Sequence, residues 1–447
     1  MVPDMKKPPV APPDWLELAQ RIGFQGITKR GIVSPEVQGE YLHWDKLRHL
    51  TPPDGIGTET WWLAIKTARK ALAHALPLCD KRGAPFTVSL SPSLQRKLFM
   101  ISRDAAGALK GADHVDDAVS KDRYLVRSLI EEAMTSSQLE GAATTTQVAK
   151  DMLLSGRKPR DYGEQMIYNN FATMRELKHW IAKPLTPNTV FEIHRKLTDG
   201  TLEDPQWAGR FRTPQDNIVI SDEAGRVLHT PPKAEELPER LQTLCNFAND
   251  DDDANFLHPV VRAILIHFQI GYDHPFCDGN GRTARALFYW SMLRSDFWMM
   301  EYLSISSILR KAPGQYMDAY LHTETDDGDT TYFIDHQLDV LLKAIDGLHG
   351  YLARKREAQY RAETLLKPGT KLAKQLNHRQ RALLLHALRH PDKPYTIEGH
   401  RRSHDITYQT ARTDLLGLVK TKLMVQHKHG RSFVFVPATD LARKLRR

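Results

Sequence analysis

The feature that most constrains this chain is a junction. An apolar stretch, Val260–Tyr272 (VVRAILIHFQIGY), runs almost directly into HPFCDGNGRTAR at residues 274–285. So long an apolar stretch reads as a buried helix, and the Gly-Asn-Gly after it has to break that helix. The loop between gathers chemistry. Glycines on both sides of Asn280 allow positive φ, in which successive N–H groups point into one anion-binding concavity. A helix starting there adds unpaired donors and partial positive charge. Arg282 and Arg285 share one face of its first turn, and Asp278 offers a hard oxygen suited to Mg²⁺. His274 is the group whose pKa suits proton transfer near neutrality.

Taken singly, a GNG is an ordinary turn and an Arg-x-x-Arg an ordinary solvated face. Within twelve residues they describe a nucleotide site with a base, a metal ligand, a phosphate nest and two cations. The run resembles the signature of the Fic family, HxFx(D/E)GNGRxxR, with every defining position filled. Cys277 falls on a variable position and reads as a packed small residue. The resemblance covers Arg123 to Leu348. Upstream, Pro184–Gly200 and Ala208–Ile220 look like the run into the family's flap. Downstream, Tyr302–Tyr320 and Gly328–Leu338 look like the helices that close the adenosine side.

This resemblance implies a mainly α fold, a Fic-type helical core with a β-hairpin flap. It also implies a protein adenylyltransferase, moving AMP from ATP to a hydroxyl of a target protein and releasing diphosphate. His274 would take the proton of that hydroxyl and Asp278 would hold Mg²⁺. The backbone of Gly279, Asn280 and Gly281 would cradle the phosphates, with the Asn280 side chain also reaching phosphate oxygens. Arg282 and Arg285 would neutralise the β- and γ-phosphates. Ile218, Val219 and Ile220 would register the target segment by strand pairing; without the resemblance they belong to an ordinary hairpin turning at Asp222–Gly225. Tyr316 is expected as an adenine-side aromatic or, equally, as a core tyrosine.

Ahead of this core, Ser136–Gly141 (SSQLEG) resembles the family's inhibitory pattern (S/T)xxxE(G/N). The resemblance implies a bidentate pair between Glu140 and Arg285, with Ser136 in the same motif. That pair would occupy the cation meant for the γ-phosphate. In some relatives this glutamate also orients a water that removes AMP. De-AMPylation, or transfer from another phosphate donor, is therefore an alternative activity of the same site.

A length of 447 residues predicts two or three domains. Three cysteines without CxxC or His/Cys spacing argue against a disulfide framework or zinc site. The first residues lack an apolar signal core, and no apolar run approaches the roughly 20 residues that span a bilayer. A cytoplasmic protein with no membrane partner is expected. The expected organisation begins with a loose tail at 1–35, carrying one short amphipathic helix at Trp15–Ile22. An N-terminal helical segment follows at 36–122, with Tyr41, Trp44, Trp61 and Trp62 as core. Then come the Fic domain with its inhibitory helix at 123–348, a helical linker at 349–370 and a distinct domain at 371–447.

That last domain carries 17 Lys and Arg against 5 Asp and Glu from Lys371 to Arg447, a net of +12. The whole chain is +8, so residues 1–370 carry −4. Its pattern reads helix (His378–Leu388), strand (Tyr395–Ile397), helix (Tyr408–Thr421) and a basic strand pair (Met424–Lys428, Ser432–Pro437). This resembles a winged helix-turn-helix. For DNA, Tyr408, Gln409, Thr410 and Arg412 would face base edges, with Arg431, Arg401, Arg402 and Lys428 on phosphates. Winged helices also bind proteins, so the alternatives are the modification target or a second copy of the chain in a homodimer; the chain itself is one candidate AMP acceptor. The rival function class is a nucleotide-sensing, DNA-binding transcriptional regulator.

Overall fold

In the computed structural model the chain divides into two compact units, Met1–Leu109 with Arg127–Ile345, and Lys110–Val126 with Asp346–Arg447. The structure describes residues 8–24, 27, 33–53, 55–106, 118–222, 224–250, 256–367, 370, 372, 374–391, 393–429 and 432–445.

The first unit opens with helices α1 (Trp15–Ile22), α2 (Trp44–Leu47) and α3 (Thr58–Leu72). Asp14 caps α1 by accepting from the Glu17 N–H. Trp15, Leu18, Ala19 and Ile22 lie on one face and pack with Leu47, Trp61 and Trp62; Ile27 joins the same cluster. The helix expected at Trp15–Ile22 is present, and it and Ile27 pack into a core rather than lying in a loose tail. An eight-residue helix does not persist alone in water, but burial at about 1.5–3 kcal/mol for each side chain like Leu18 and Ile27 holds it. Tyr41, Trp61 and Trp62 are buried, as core residues should be.

The expected helical segment 36–122 also needs correction. After α3 the chain forms an antiparallel hairpin, β1 (Ala73–Cys79) and β2 (Pro85–Ser89), pairing Ala73 with Ser89 and Cys79 with Pro85. Asp80 accepts from the N–H groups of Arg82 and Ala84 at 2.8 and 2.9 Å, and Gly83 takes φ +81°. That local turn chemistry overrides helix propensity.

The helices that position the site follow: α4 (Pro92–Ala105), α5 (Ala118–Leu139), α6 (Thr146–Ser155), α7 (Tyr162–Ile181) and α8 (Pro187–Thr198). A short hairpin, β3 (Ile220–Ser221) with β4 (Val227–His229), precedes α9 (Leu237–Ala248), α10 (Pro259–Asp273) and α11 (Asn280–Arg294). Next are α12 (Ser306–Leu309), α13 (Pro313–Thr325) and α14 (Thr331–Leu365), the last running into the second unit. α8 starts on Thr186, whose side chain accepts from the Thr189 N–H, and buries Val190, Ile193, His194 and Leu197. α10 starts on His258 and Pro259; from Val260 to Asp273 only Arg262 and Gly271 escape burial. A helix apolar on every side belongs in the middle of a core, and α10 packs there against α11, itself flanked by α7 and α8. The indole of Trp290 donates to Trp180 O at 3.0 Å, tying α11 to the end of α7.

In the second unit, α15 (His378–Arg389), α16 (Ile397–His404), α17 (Tyr408–Lys420) and α18 (Leu441–Lys444) surround a small sheet. Its strands β5 (Tyr395–Thr396), β6 (Met424–His429) and β7 (Ser432–Pro437) lie in the order β5-β7-β6, all antiparallel. Leu383, Leu384, Leu415, Leu418 and Phe435 form its core. Beside that core the buried Asp414 carboxylate accepts from Arg379, Asn377 and His400. Among the described residues no helix is long and apolar enough to cross a membrane.

Candidate active site

The loop between α10 and α11 begins at His274, which ends α10 in the left-handed region at φ 45°, ψ 57°. For a non-glycine residue this conformation needs outside support, and Arg212 supplies it. Its Nε donates to His274 O at 2.7 Å and its guanidinium also reaches Asp273 O and Pro232 O. Its backbone N–H donates to Pro275 O at 2.9 Å. His274 Nδ1 lies 3.3 Å from Gly271 O, a group that can only accept. Nδ1 therefore carries the proton and Nε2 the lone pair. Burial is the main influence on this ring; it outweighs Gly271 O and Glu140 and pushes the pKa down from 6.5 to about 4. The near-neutral value expected from residue type is corrected accordingly, and His274 is an unprotonated base at pH 7.

His194, on α8, holds the other side of the loop. Its Nδ1 accepts from the Gly209 N–H at 2.9 Å, so Nε2 carries the proton and donates to Asp278 O at 2.8 Å. The ring stacks on Phe276 with centroids 3.8 Å apart. Burial lowers its pKa to about 4, which keeps this tautomer uncharged. Gly279 then takes φ +81°, and a Cβ there would meet Thr198 Cγ2 at 2.6 Å.

Two sequence-based assignments change here. Gly281 does not take positive φ; it is the second residue of α11. A Cβ there would meet the end of the Glu140 side chain, so a larger residue would push that carboxylate aside. The Asn280 side chain is not aimed at phosphate either. Its Oδ1 accepts from Phe276 N–H at 2.9 Å and its Nδ2 donates to Phe276 O at 2.8 Å, so both polar ends brace the loop. What the GNG run offers an anion is backbone. The N–H groups of Asn280, Gly281 and Arg282 open α11 and have no intrahelical acceptor.

Arg282 is buried. It donates to Leu197 O at 3.2 Å and to Asp278 Oδ2 at 3.1 Å, so one of its donors holds Asp278 rather than facing outward. The Asp278 side chain is 40% exposed, and its Oδ1 accepts from the Gly279 N–H at 2.5 Å. Among the described residues no group of three or more His, Cys, Asp or Glu side chains could hold a metal unaided. A single exposed carboxylate does suit Mg²⁺ that arrives with phosphates and keeps waters. The neighbouring Cys277 thiol is pushed up to about 12 by burial and by Asp216, so it is no nucleophile.

Arg285, one turn further along α11, is buried and shared. Its Nε donates to Ser136 Oγ at 2.8 Å, and its NH2 donates to Ser136 O at 3.1 Å and Glu140 Oε1 at 2.9 Å. The expected bidentate fork between Glu140 and Arg285 is thereby corrected. Ser136 takes Nε, so the carboxylate meets a single guanidinium nitrogen. Tyr316, on α13, shares a 2.8 Å hydrogen bond with His267 Nε2 and packs with Tyr320 and Phe333. Arg285 and Glu140 both act on its hydroxyl, so it lies beside the Arg285–Glu140 pair as part of an aromatic cluster.

The flap is shorter than expected. Of Ile218, Val219 and Ile220 only Ile220 is in a strand, paired with His229; Val219 is exposed. His229 Nε2 contacts Tyr272 O at 2.7 Å, which ties β4 to the end of α10. In the second unit Tyr408, Gln409 and Arg412 are exposed on the first turns of α17. Thr410 shares a hydrogen bond with the capping Thr407, and Arg431 lies outside the described residues. Arg401 and Arg402 both pair with Glu398, which removes part of the charge expected for phosphate contacts.

Sequence reasoning missed Arg212 and His194 as loop supports. Both lie in segments whose likeness to the family is visible, but a lone arginine or histidine gives no sign of its distant partner.

Residues 184–292 match the Fic/DOC family. A protein adenylyltransferase Fic of Nematostella vectensis is 30% identical over 205 residues, which is 45% of this chain and 43% of that protein. Protein adenylyltransferase fic-1 of Caenorhabditis elegans is 26% identical over 217 residues, 47% of this chain and 40% of that one. The chain thus spans less than half the length of the curated relatives it matches. A crystal structure of a Fic family protein from Desulfovibrio desulfuricans G20 superposes on 78% of this chain and 97% of its own, with a TM-score of 0.51 at 16% identity. That likeness establishes a shared fold.

Proposed function

Because the chain carries a Fic/DOC family domain at residues 184–292, we propose that it is a protein adenylyltransferase held inactive by Glu140. The names of its curated relatives support the activity. The observation that carries the regulation is the Arg285 guanidinium, engaged by Ser136 and Glu140 at the start of α11.

ATP would lay its phosphates on the N–H groups of Asn280, Gly281 and Arg282, with Arg285 reaching the γ-phosphate. Mg²⁺, held by Asp278, would supply charge to offset the phosphates. Nε2 of His274 accepts the proton of a Ser, Thr or Tyr hydroxyl on the target as that oxygen attacks the α-phosphorus. The new O–P bond forms while the bond to the bridging oxygen breaks, and diphosphate leaves with the electron pair. Apart from that proton transfer, catalysis is positioning and charge stabilisation. Residues 218–220 and the short hairpin would lay the target segment beside His274. While Glu140 holds Arg285, the γ-phosphate must displace a charge-assisted hydrogen bond worth about 1.5–3 kcal/mol. Productive ATP binding is weakened correspondingly.

The test uses ATP labelled at the α- or the γ-phosphate, Mg²⁺, cell lysate, and the protein as wild type, Glu140→Gly and His274→Ala/Glu140→Gly. Transfer of the α-label alone, raised by Glu140→Gly and abolished by His274→Ala, is the expected outcome. Transfer of the γ-label would instead mean a kinase-like reaction. If neither label moves, the site acts by sensing nucleotide or removing AMP.

A second reading, for residues 371–447, rests on their net charge of +12 and on the helix, strand, helix, helix, strand, strand order. Both suit a winged helix on DNA, with Tyr408, Gln409 and Arg412 toward the groove. Gel shifts on random and genomic DNA across salt concentrations test it, since phosphate contacts give steep salt dependence. Absence of binding at low salt would leave a protein partner or a second copy of the chain.

A further inference from the structure

We propose that Glu132 is a positioning residue of the switch, holding α5 in the register that delivers Glu140 to Arg285. The proposal rests on the reading of Glu140 as inhibitor. Residues 132, 136 and 140 recur every four positions, so they fall along one side of α5 and its C-terminal turn. Ser136 and Glu140 engage Arg285. Glu132, one turn earlier and only 2% exposed, engages the segment that leads into α12. Its Oε2 accepts from Ser304 Oγ at 2.9 Å and from the Ser306 N–H at 3.1 Å, and its Oε1 accepts from Ser306 Oγ. Thr135 Oγ1 adds a contact to Ser304 Oγ at 3.3 Å.

The same segment is tied to the helix that bears Arg285. Tyr289, one turn beyond Arg285 on α11, donates to Leu303 O at 3.2 Å and accepts from the Ile305 N–H at 3.1 Å. A closed linkage therefore runs from Glu132 through Ser304–Ser306 to Tyr289, along α11 to Arg285, and back to α5 through Ser136. A carboxylate buried this deeply is costly unless every lone pair is used, and an apolar side chain would pack as well. What the carboxylate adds is direction, because it fixes α5 along its axis against a donor set at one height. Displacing α5 enough to free Arg285 from Glu140 would strain that donor set. Burial raises the Glu132 pKa while its hydrogen bonds and Arg285 oppose this, which places the second carboxylate within electrostatic reach of the same guanidinium.

The experiment places Glu132→Gln in the full chain, alone and with Glu140→Gly, and measures kcat and KM for ATP in α-label transfer. Amide exchange at residues 137–142 is measured in parallel, and circular dichroism reports folding. Gln keeps the shape but exchanges an acceptor oxygen for an N–H2 facing serine donors. The expected result is severalfold faster transfer through a lower KM for ATP, with faster exchange at 137–142, when Glu140 is present. No further activation is expected in the Glu140→Gly background. A residue important only for packing would lower transfer in both backgrounds. That outcome, or an unchanged wild-type background, overturns the proposal. If Glu140→Gly itself fails to activate, the inhibitor reading fails first and takes this proposal with it. Should Glu132→Gln not fold, Ser306→Ala removes one donor and must shift KM in the same direction, or the proposal falls.

Discussion

Asn280→Ala separates a phosphate ligand from a structural brace. Asn280 is 2% exposed and closes a two-point contact with Phe276, Oδ1 to N–H at 2.9 Å and Nδ2 to O at 2.8 Å. Alanine leaves that N–H and C=O without their partner inside the fold. Each orphaned buried group costs about 1–3 kcal/mol. Allowing water to relieve part of this, the loop loses roughly 2–4 kcal/mol of local stability. At 1.4 kcal/mol per factor of ten, opening becomes roughly 30- to 700-fold more frequent. Amide hydrogen exchange at Phe276, read by mass spectrometry with α9 as internal reference and no nucleotide present, reports that opening directly. kcat should fall with it, because His274 and the N–H cradle are the two ends of the same loop. The reasoning is refuted if exchange at Phe276 stays within about threefold of wild type while KM for ATP rises alone. That pattern would make Asn280 a phosphate ligand.

Two further predictions concern titration and the second unit. With a folded pKa of about 4 against 6.5 for the free ring, His274 is a free base throughout the neutral range. Transfer by Glu140→Gly should be flat from pH 6 to pH 8 with respect to this group, and an inflection near 6.5 in the pH–rate profile would contradict the burial argument. The sign for stability follows from the unfolded state binding the proton first: the contribution is complete above pH 6.5 and is lost as pH falls toward 4. Asp414→Ala orphans Arg379, Asn377 and His400 together, which should destabilise the second unit by about 3–5 kcal/mol. Limited proteolysis should then cut within 371–447 while AMP transfer persists; equal protease resistance of mutant and wild type would count against it.

Much of the fold was legible because its signals are short-range. Asp14 and Thr186 cap their helices by accepting from N–H groups only three residues on. The elements of 371–447 fall within a few residues of their expected places, since alternation and turn residues there act over two to four positions. The β1–β2 hairpin escaped notice because Ala, Leu and His around Pro77 suit a helix as well as a strand; only the Asp80–Gly83 turn marks it. The flap's shortness was illegible too. Ile218, Val219 and Ile220 all favour strands, and pairing with His229 selects one of them.

By itself, the sequence determined which groups could meet near residue 274: a histidine, a carboxylate, an N–H-rich turn and two arginines, with a carboxylate upstream to oppose them. Those identities and spacings are covalent, and the helix–loop–helix that displays them follows from local breaks in an apolar run. Tertiary structure alone decided what each group does with its hydrogen bonds. It turned Asn280 onto Phe276, divided Arg285 between Ser136 and Glu140, brought Arg212 and His194 to hold the loop, and made His274 a neutral base. Apart from the Asn280–Phe276 contact, which spans four residues of one loop, these outcomes depend on which distant segments share a space that water has left. Desolvation and competition for donors act through that space, and no spacing along the chain encodes them.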